Sequence, residues 1–423
     1  MSDNQSYYKS KRFRSILQYY EECERDDVPC IISSDDYVDI AEYYNVVKNN
    51  AEKAEKVIDT AIKLYPGVTS PLVFKSRIML FVHHDAEKAR HYLSLAEDQN
   101  DLDVYYLTAE MMIVDDKIAQ ANDYLKEKLT EVDEDDQQDY IWDVANLFLD
   151  YNNSEIADEW IAMIDDKEGT DYEELVSKSL ICKGRYDESV EAINHLIDKN
   201  PFSNDYWNLL TMTHLKSEKN EEALDSSEYS IALNPEDEVA ILNKGYALYQ
   251  MGNIEESITY FKRYIELCPD DEVGPFNLGS CLVDLNRYEE AEAYFKRAET
   301  LADQDSPRYI DILQNLLYIS DKLGKKKDFQ SYLQKIDQLP SDDAQTLIEK
   351  GIVFLFYGIY DKAEAYLLKA LRKGGKSKEV LLQIASLLAD NGFYISEDGK
   401  LEELKDNQTN KENSDELDNS TSE

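Results

Sequence analysis

The sequence predicts an all-α solenoid of helix-turn-helix hairpins, and three observations carry that expectation. Pro201, Pro235 and Pro269 stand in one register, each 34 residues after the last, without a gap. In that register Gly245 aligns with Gly279, and Ser257 aligns with Ala223 and Ala291, while Ser227, Phe261 and Phe295 form another column. Gly184, Gly252 and Gly358 fall where a left-handed residue closes the C-terminus of a helix. A chain of 423 residues with 43% hydrophobic residues would otherwise be divided into two or three domains. A fixed period instead means units added side by side, with no single core.

Residues 1–34 precede the repeats. Phe13, Ile16, Leu17 and Tyr20 share one face of a helix that is expected to cap the first repeat. Lys9, Lys11, Arg12 and Arg14 open this helix and Glu21, Glu22 and Glu24 close it, a polarity that opposes the helix dipole. The repeats run over 35–390. Their units are 35–68, 70–101, 102–135, 138–169, 170–203, 204–237, 238–271, 272–305, 309–343 and 344–377. That makes about ten, with 70–101, 138–169 and 309–343 fitting least well; in 309–343 the first helix, 308–322, runs long. A last amphipathic helix over 379–389 reads as the C-terminal cap.

Within a hairpin, Gly245, Gly279 and Gly351 sit where helix A meets helix B, with Ala291 and Ala363 on the facing side. Glycine inside a helix costs about 1 kcal/mol, so its return in one column points to close packing. Tyr186, Tyr288 and Tyr360 are expected to fill the space beneath the turns. Beyond Asn391 the composition changes: residues 397–423 hold ten acidic and three basic residues. So little apolar surface predicts a disordered acidic tail over 391–423.

The period and these residue types resemble the tetratricopeptide repeat, over 35–390 and most specifically in the middle. The whole chain is similar to the long, acidic tetratricopeptide proteins of bacteria. The resemblance implies a right-handed superhelical solenoid in which helix A of each repeat lines a concave groove. The groove-facing positions of that family fall here on Val239, Leu242, Asn243, Tyr246, Tyr249 and Gln250. In the next repeat they fall on Val273, Phe276, Asn277, Ser280, Val283 and Asp284. Asn243, Tyr246, Tyr249, Phe276 and Asn277 are the candidate peptide-binding residues. An amide can bond an extended backbone in both directions, and aromatic rings offer flat apolar area beside it. The family's clamp for acidic C-terminal tails wants a Gly-Asn pair, and Gly245-Tyr246 and Gly279-Ser280 stand there instead.

The formal net charge of -43, from 88 acidic against 45 basic residues, disfavours nucleic acid and anionic membranes as partners. Five cysteines, an odd number thinly spread, argue against a disulfide framework and for a reducing compartment. The opening MSDNQSYYKSKRFR has no apolar segment of the secretory kind, and GIVFLFYGIY over 351–360 is too short to span a bilayer. A cytoplasmic location is expected.

Chemistry has no visible residues. Gly375-Lys376-Ser377 lacks the earlier glycine of a phosphate-binding loop, since Ala370 stands there. Asp133-Glu134-Asp135-Asp136 lacks the glycine and spaced ligands of a calcium loop. His83, His84 and His91 lack a carboxylate–histidine motif, and Asp85 is expected to begin a new helix between them. No cofactor and no metal are expected. The function read from the sequence is a non-enzymatic interaction scaffold for a basic or neutral protein or peptide segment. The alternative is a regulatory subunit of a cytosolic enzyme complex.

Overall fold

The computed structural model describes residues 7–8, 10–48, 50–304, 306–340, 343–374, 377–396 and 400–403. The chain divides into two compact units, 1–274 and 275–423.

In the first unit, α1 (Lys11–Arg25) is N-capped by Ser10, whose Oγ accepts from the Phe13 N–H at 3.1 Å. A hydroxyl cap here replaces the acidic first turn that the helix lacks. Phe13 and Tyr20 are buried, and Ile16 and Leu17 pack half-buried on the same cluster, so the apolar face read from the sequence is covered. Six helix pairs come next: α2 (Ser34–Glu42) with α3 (Ala51–Leu64), α4 (Thr69–Phe81) with α5 (Ala86–Leu93), and α6 (Leu102–Val114) with α7 (Ile118–Leu129). They continue with α8 (Gln137–Asp150) and α9 (Ser154–Ile161), α10 (Thr170–Cys182) and α11 (Tyr186–Lys199), and α12 (Asn204–Lys216) and α13 (Asn220–Leu233). A seventh pair is α14 (Glu238–Gln250) with α15 (Ile254–Leu267). In the first pair a π-helical turn, Tyr43–Val47, extends helix A.

The division between the units falls within α16 (Val273–Asp284), whose partner is α17 (Tyr288–Leu301). The second unit continues with α18 (Pro307–Lys322), α19 (Lys326–Gln338), α20 (Ala344–Phe356), α21 (Tyr360–Lys373) and α22 (Lys378–Asp390). Both units repeat the same antiparallel helix pair, and the fold class is an all-α helical-repeat solenoid.

Two columns explain why the pair recurs. On helix B, Ala54, Ala89, Ala121, Ala157, Ser189, Ala223, Ser257, Ala291 and Ala363 are all fully buried. On helix A, a Cβ placed on Gly245 would lie 2.6 Å from the Phe261 ring, and one on Gly279 would lie 2.7 Å from the Phe295 ring. The backbones therefore approach until an aromatic ring from helix B rests on a bare Cα. At the end of helix A a left-handed residue returns in pair after pair: Asp116, Asn152, Gly184, Glu218, Gly252, Asn286, Gly324 and Gly358 all have φ between 57° and 80°. After α14, the Gly252 N–H donates to the Tyr249 carbonyl at 3.0 Å and the Asn253 N–H to the Leu248 carbonyl at 2.9 Å. That pair of bonds closes the helix.

The pair α18–α19 departs from both columns for a visible reason. Leu317, fully buried, and Phe329 stand where other pairs carry small residues, and the Phe329 ring meets Tyr357 edge-on at 5.1 Å. Of the tyrosines placed beneath the turns, Tyr186 and Tyr288 are half-buried. Tyr360 is 47% exposed and rests instead against Phe393, ring centres 5.3 Å apart.

Beyond α22 the chain does not turn at once into the unstructured tail expected from 391. Gly392 takes φ +78°, and an antiparallel hairpin forms from β1 (Phe393–Ile395) and β2 (Leu401–Glu403). Phe393, Ile395 and Leu401 pack half-buried on the last core cluster, and the Leu401 N–H donates to Glu364 Oε2 at 2.9 Å. Phe393 and Ile395 precede the acidic stretch 397–423, and Leu401 alone is too little to mark that stretch as structured. Residues 404–423 lie outside the described residues, as do Gly375 and Lys376. Ser377, the third residue of that motif, caps α22.

Candidate interaction surface

The helix-A positions singled out in the sequence belong to different units. Asn243, Tyr246 and Tyr249 lie on α14 in the first; Phe276 and Asn277 lie on α16 in the second.

On α14 the cap comes first. Asp237 Oδ1 accepts from the Ala240 N–H at 2.9 Å, and its Oδ2 accepts from the amides of Asn204 and Asn208 at 2.9 and 3.0 Å. One carboxylate thus caps α14 and ties it to α12. Lys244 on the same helix is buried, its ammonium 2.8 Å from Glu228 and 4.6 Å above the Tyr260 ring. Tyr246 is half-buried and meets Phe261 edge-on at 5.6 Å, which fixes its ring plane. Asn243 is half-buried, and no described residue donates to or accepts from its amide. Val239 is 46% exposed one turn earlier.

In the second unit Phe276 is half-buried, edge-on to Phe295 at 5.6 Å, with the Arg308 guanidinium 5.5 Å from its ring centre. Asn277 is only 9% exposed. The two asparagines of the column are therefore not equivalent.

A second concave surface was not singled out from the sequence. Two adjoining cavities in the first unit, of about 590 and 530 Å³, share Asp143. The first is lined by Asp101, Asp103, Tyr106 and Asp136 among others; the second by Asp139, Trp142, Asp171 and Tyr172. Counting the groove-facing positions onto 102–135, 138–169 and 170–203 gives Asp103 and Tyr106, then Asp139, Trp142 and Asp143, then Asp171. The same positional rule thus reaches them, in three repeats of which 138–169 is among those that match the pattern least well.

The cleft floor is held firmly. Tyr106 stacks on the fully buried Tyr140 with ring centres 5.6 Å apart, and its hydroxyl donates to Asp143 Oδ2 at 2.9 Å. Tyr140 donates to the Leu125 carbonyl at 3.0 Å, and Trp160 beside it donates to Asn122 at 2.8 Å. Burial pushes the Asp143 carboxyl above its ordinary value; the Tyr106 hydrogen bond opposes this, and the charges of Asp139 and Asp103 add to it. Burial and Asp103 likewise raise Asp101, against the hydrogen bond from the Asp103 N–H.

Among the described residues, no three His, Cys, Asp or Glu side chains are grouped so as to hold a metal ion. His83 is bound to Glu55, its Nε2 2.5 Å from Oε1. Asp85 caps α5, accepting from the Lys88 N–H at 2.9 Å. No helix among the described residues is long and apolar enough to cross a membrane.

Comparison with known proteins places two tetratricopeptide-repeat family matches on this geometry, at residues 210–273 and 276–305. Among solved structures the chain is similar to a tetratricopeptide repeat protein from Parabacteroides merdae ATCC 43184. The identity is 16% and the TM-score 0.44, over 59% of this chain and 98% of that one. It is also similar to PilF of Pseudomonas aeruginosa, at 16% identity and TM-score 0.39, over 51% of this chain and 96% of that one. A third is YrrB, described as a TPR protein with an unusual peptide-binding site, at 17% identity and TM-score 0.32, over 46% of this chain and 98% of that one. No curated protein matches.

Proposed function

Because this chain is a tetratricopeptide-repeat protein, a class that generally serves as protein-interaction scaffolds, we propose that it is a non-enzymatic scaffold binding an extended segment of a partner protein. The observation that carries this reading is the α14 surface. There the half-buried Asn243 amide has no partner among the described residues, beside Tyr246 held edge-on and Tyr249 half-buried. An amide so placed can give and take one hydrogen bond with an extended backbone, and the rings supply apolar contact. In the second unit Phe276 and Asn277 hold the same helix-A positions and are proposed as contacts in their own right. A net charge of -43 favours a basic-to-neutral segment and speeds its encounter. A cytoplasmic location accords with this reading.

Affinity purification from the native host, with mass spectrometry of the retained proteins, tests it. A stoichiometric partner released by the Asn243→Ala/Tyr249→Ala/Phe276→Ala variant supports the proposal. A partner retained in full by that variant places binding elsewhere on the molecule.

A further inference from the structure

The repeat register continues, without a gap, from α20 into α22. Ser377 caps α22 as Asp343 caps α20, and Ala385 takes the column of Gly351. Gly392, at φ 78°, takes the column of Gly358, at φ 71°. By its columns α22 is therefore another helix A. Its burial is different. On α20, Leu347, Ile348, Gly351 and Leu355 are all buried. At the matching positions of α22, Leu381 is 48% and Leu382 59% exposed, and Ala385 and Ala389 are exposed as well. Only the opposite face, with Ile384 and Leu388, is buried. A terminal helix that merely caps a solenoid turns polar groups outward. This one turns leucine and alanine outward.

Among the described residues, those that follow turn toward α21. A helix B would open near Phe393, but the β-hairpin forms there instead. Phe393 rests on Tyr360, and the Leu401 N–H donates to Glu364, both on α21. Residues 404–423 carry Leu404 and Leu417 as their only large apolar side chains. Two leucines do not make the apolar stripe by which a helix B packs.

Two properties make the bare face complementary to itself. Lys378, Leu382, Ala385 and Ala389 are spaced i, i+4, i+7 and i+11, the spacing of a seam between two helices. In an antiparallel pair centred on that stripe, Leu382 of each copy lies over Ala385 of the other, large against small. The same alignment carries Lys378 to the far end of the second helix, beside Asp390. Both residues are exposed, and neither has a partner among the described residues. A parallel pair would instead set each charge against its like.

We propose that α22 is a self-association helix, through which two copies of this chain pair antiparallel. Leu382 and Ala385 form the seam, and Lys378 of each copy meets Asp390 of the other, so the contact is isologous and closed. A contact confined to one helix of 13 residues falls at the low end of specific interfaces, below about 1,200 Å² in total. The dimer is accordingly weak and concentration-dependent. It involves none of the α14 residues.

Sedimentation velocity of the full chain reads the association, from about 1 to 300 μM in about 0.15 M salt, which screens the large net charge. The wild type should pass from monomer toward dimer across that range. Leu382→Glu/Ala385→Glu, at positions already exposed, should weaken association at least about tenfold. Phe202→Glu charges a more exposed apolar residue away from this face and should change it by less than about twofold. Lys378→Glu and Asp390→Lys should each weaken the dimer, and the two together should restore it. Each reversal suits the helix dipole, so neither should loosen α22, and circular dichroism checks that all variants fold. A monomer throughout, whether another protein or none then takes the face, would overturn the proposal. So would a dimer that Leu382→Glu/Ala385→Glu leaves intact, or a double charge reversal that fails to recover it.

Discussion

Ser257 Oγ donates to the Gly245 carbonyl at 2.9 Å, across the buried seam between α14 and α15. The same bond recurs between α10 and α11, where Ser189 Oγ donates to the Ser177 carbonyl at 3.0 Å. In both pairs a hydroxyl replaces the alanine that other pairs place at this helix-B position, and its polar atom finds an acceptor in the facing small residue. The seam thus has a packing requirement at Gly245 and a hydrogen-bonding one at Ser257.

The packing requirement is the larger. A Cβ at Gly245 would stand 2.6 Å from Phe261, a fully buried ring with little room to yield. Gly245→Ala should gain about 1 kcal/mol in helix propensity yet lose more by overpacking, for a net loss of about 1–2 kcal/mol. Ser257→Ala should cost about 1 kcal/mol. Urea unfolding monitored by circular dichroism measures both, and a more stable Gly245→Ala would refute the close approach.

At the turns the prediction runs the other way. Glu218 is held at φ 60°, a conformation that costs a side-chain-bearing residue about 1–2 kcal/mol relative to glycine. Glu218→Gly should therefore raise the unfolding free energy measured in urea, by up to about 1 kcal/mol after the added freedom of the unfolded chain is counted. Gly252→Ala, at φ 80°, should lower it by a similar amount.

The repeat itself was legible because it is written in residues with few substitutes. A bare Cα under Phe261 needs glycine, and a seam a few ångströms wide needs alanine or serine. The C-terminal hairpin was not legible, because Phe393, Ile395 and Leu401 are three apolar residues in a polar stretch. Their value lies in a surface that only the folded α20–α22 cluster presents. The acidic cleft was hidden differently. Asp143 looks like an ordinary solvated acid until the fold half-buries it against Tyr106, whereas Asp139 and Asp171 remain exposed. The candidate residues on α14 came from position alone, and position did not reveal that Asn277 is buried whereas Asn243 is half-exposed.

His214 makes stability depend on pH. It is buried, its Nδ1 has no partner among the described residues, and burial lowers its pKa below the ordinary value of 6.5. The unfolded chain then binds the proton more readily than the folded one. This contribution is fully present above about pH 6.5 and is lost as the pH falls through that value toward the lower folded one. His214→Leu should remove the dependence. The urea midpoint of the wild type should fall relative to the variant between neutral and mildly acidic pH, and parallel profiles would contradict the assignment.

Removing α1 should expose the cluster that Phe13 and Tyr20 help to bury. A chain beginning at residue 27 should aggregate at concentrations where the full chain does not. Phe13→Ala alone should cost about 3 kcal/mol or more in local stability. Hydrogen exchange of the α2 amides checks the second statement, and unchanged protection would deny α1 its capping role.

Binding by the helix-A face is the central claim, and calorimetric titration of the partner segment recovered by affinity purification tests it most directly. With that segment, Tyr249→Ala should weaken binding more than Asn243→Ala, since aromatic anchors carry more energy than the hydrogen bonds around them. The Asn243→Ala/Tyr249→Ala/Phe276→Ala variant, shown by circular dichroism to be folded, should lose at least about tenfold in affinity. Undiminished affinity in that folded variant would contradict the account.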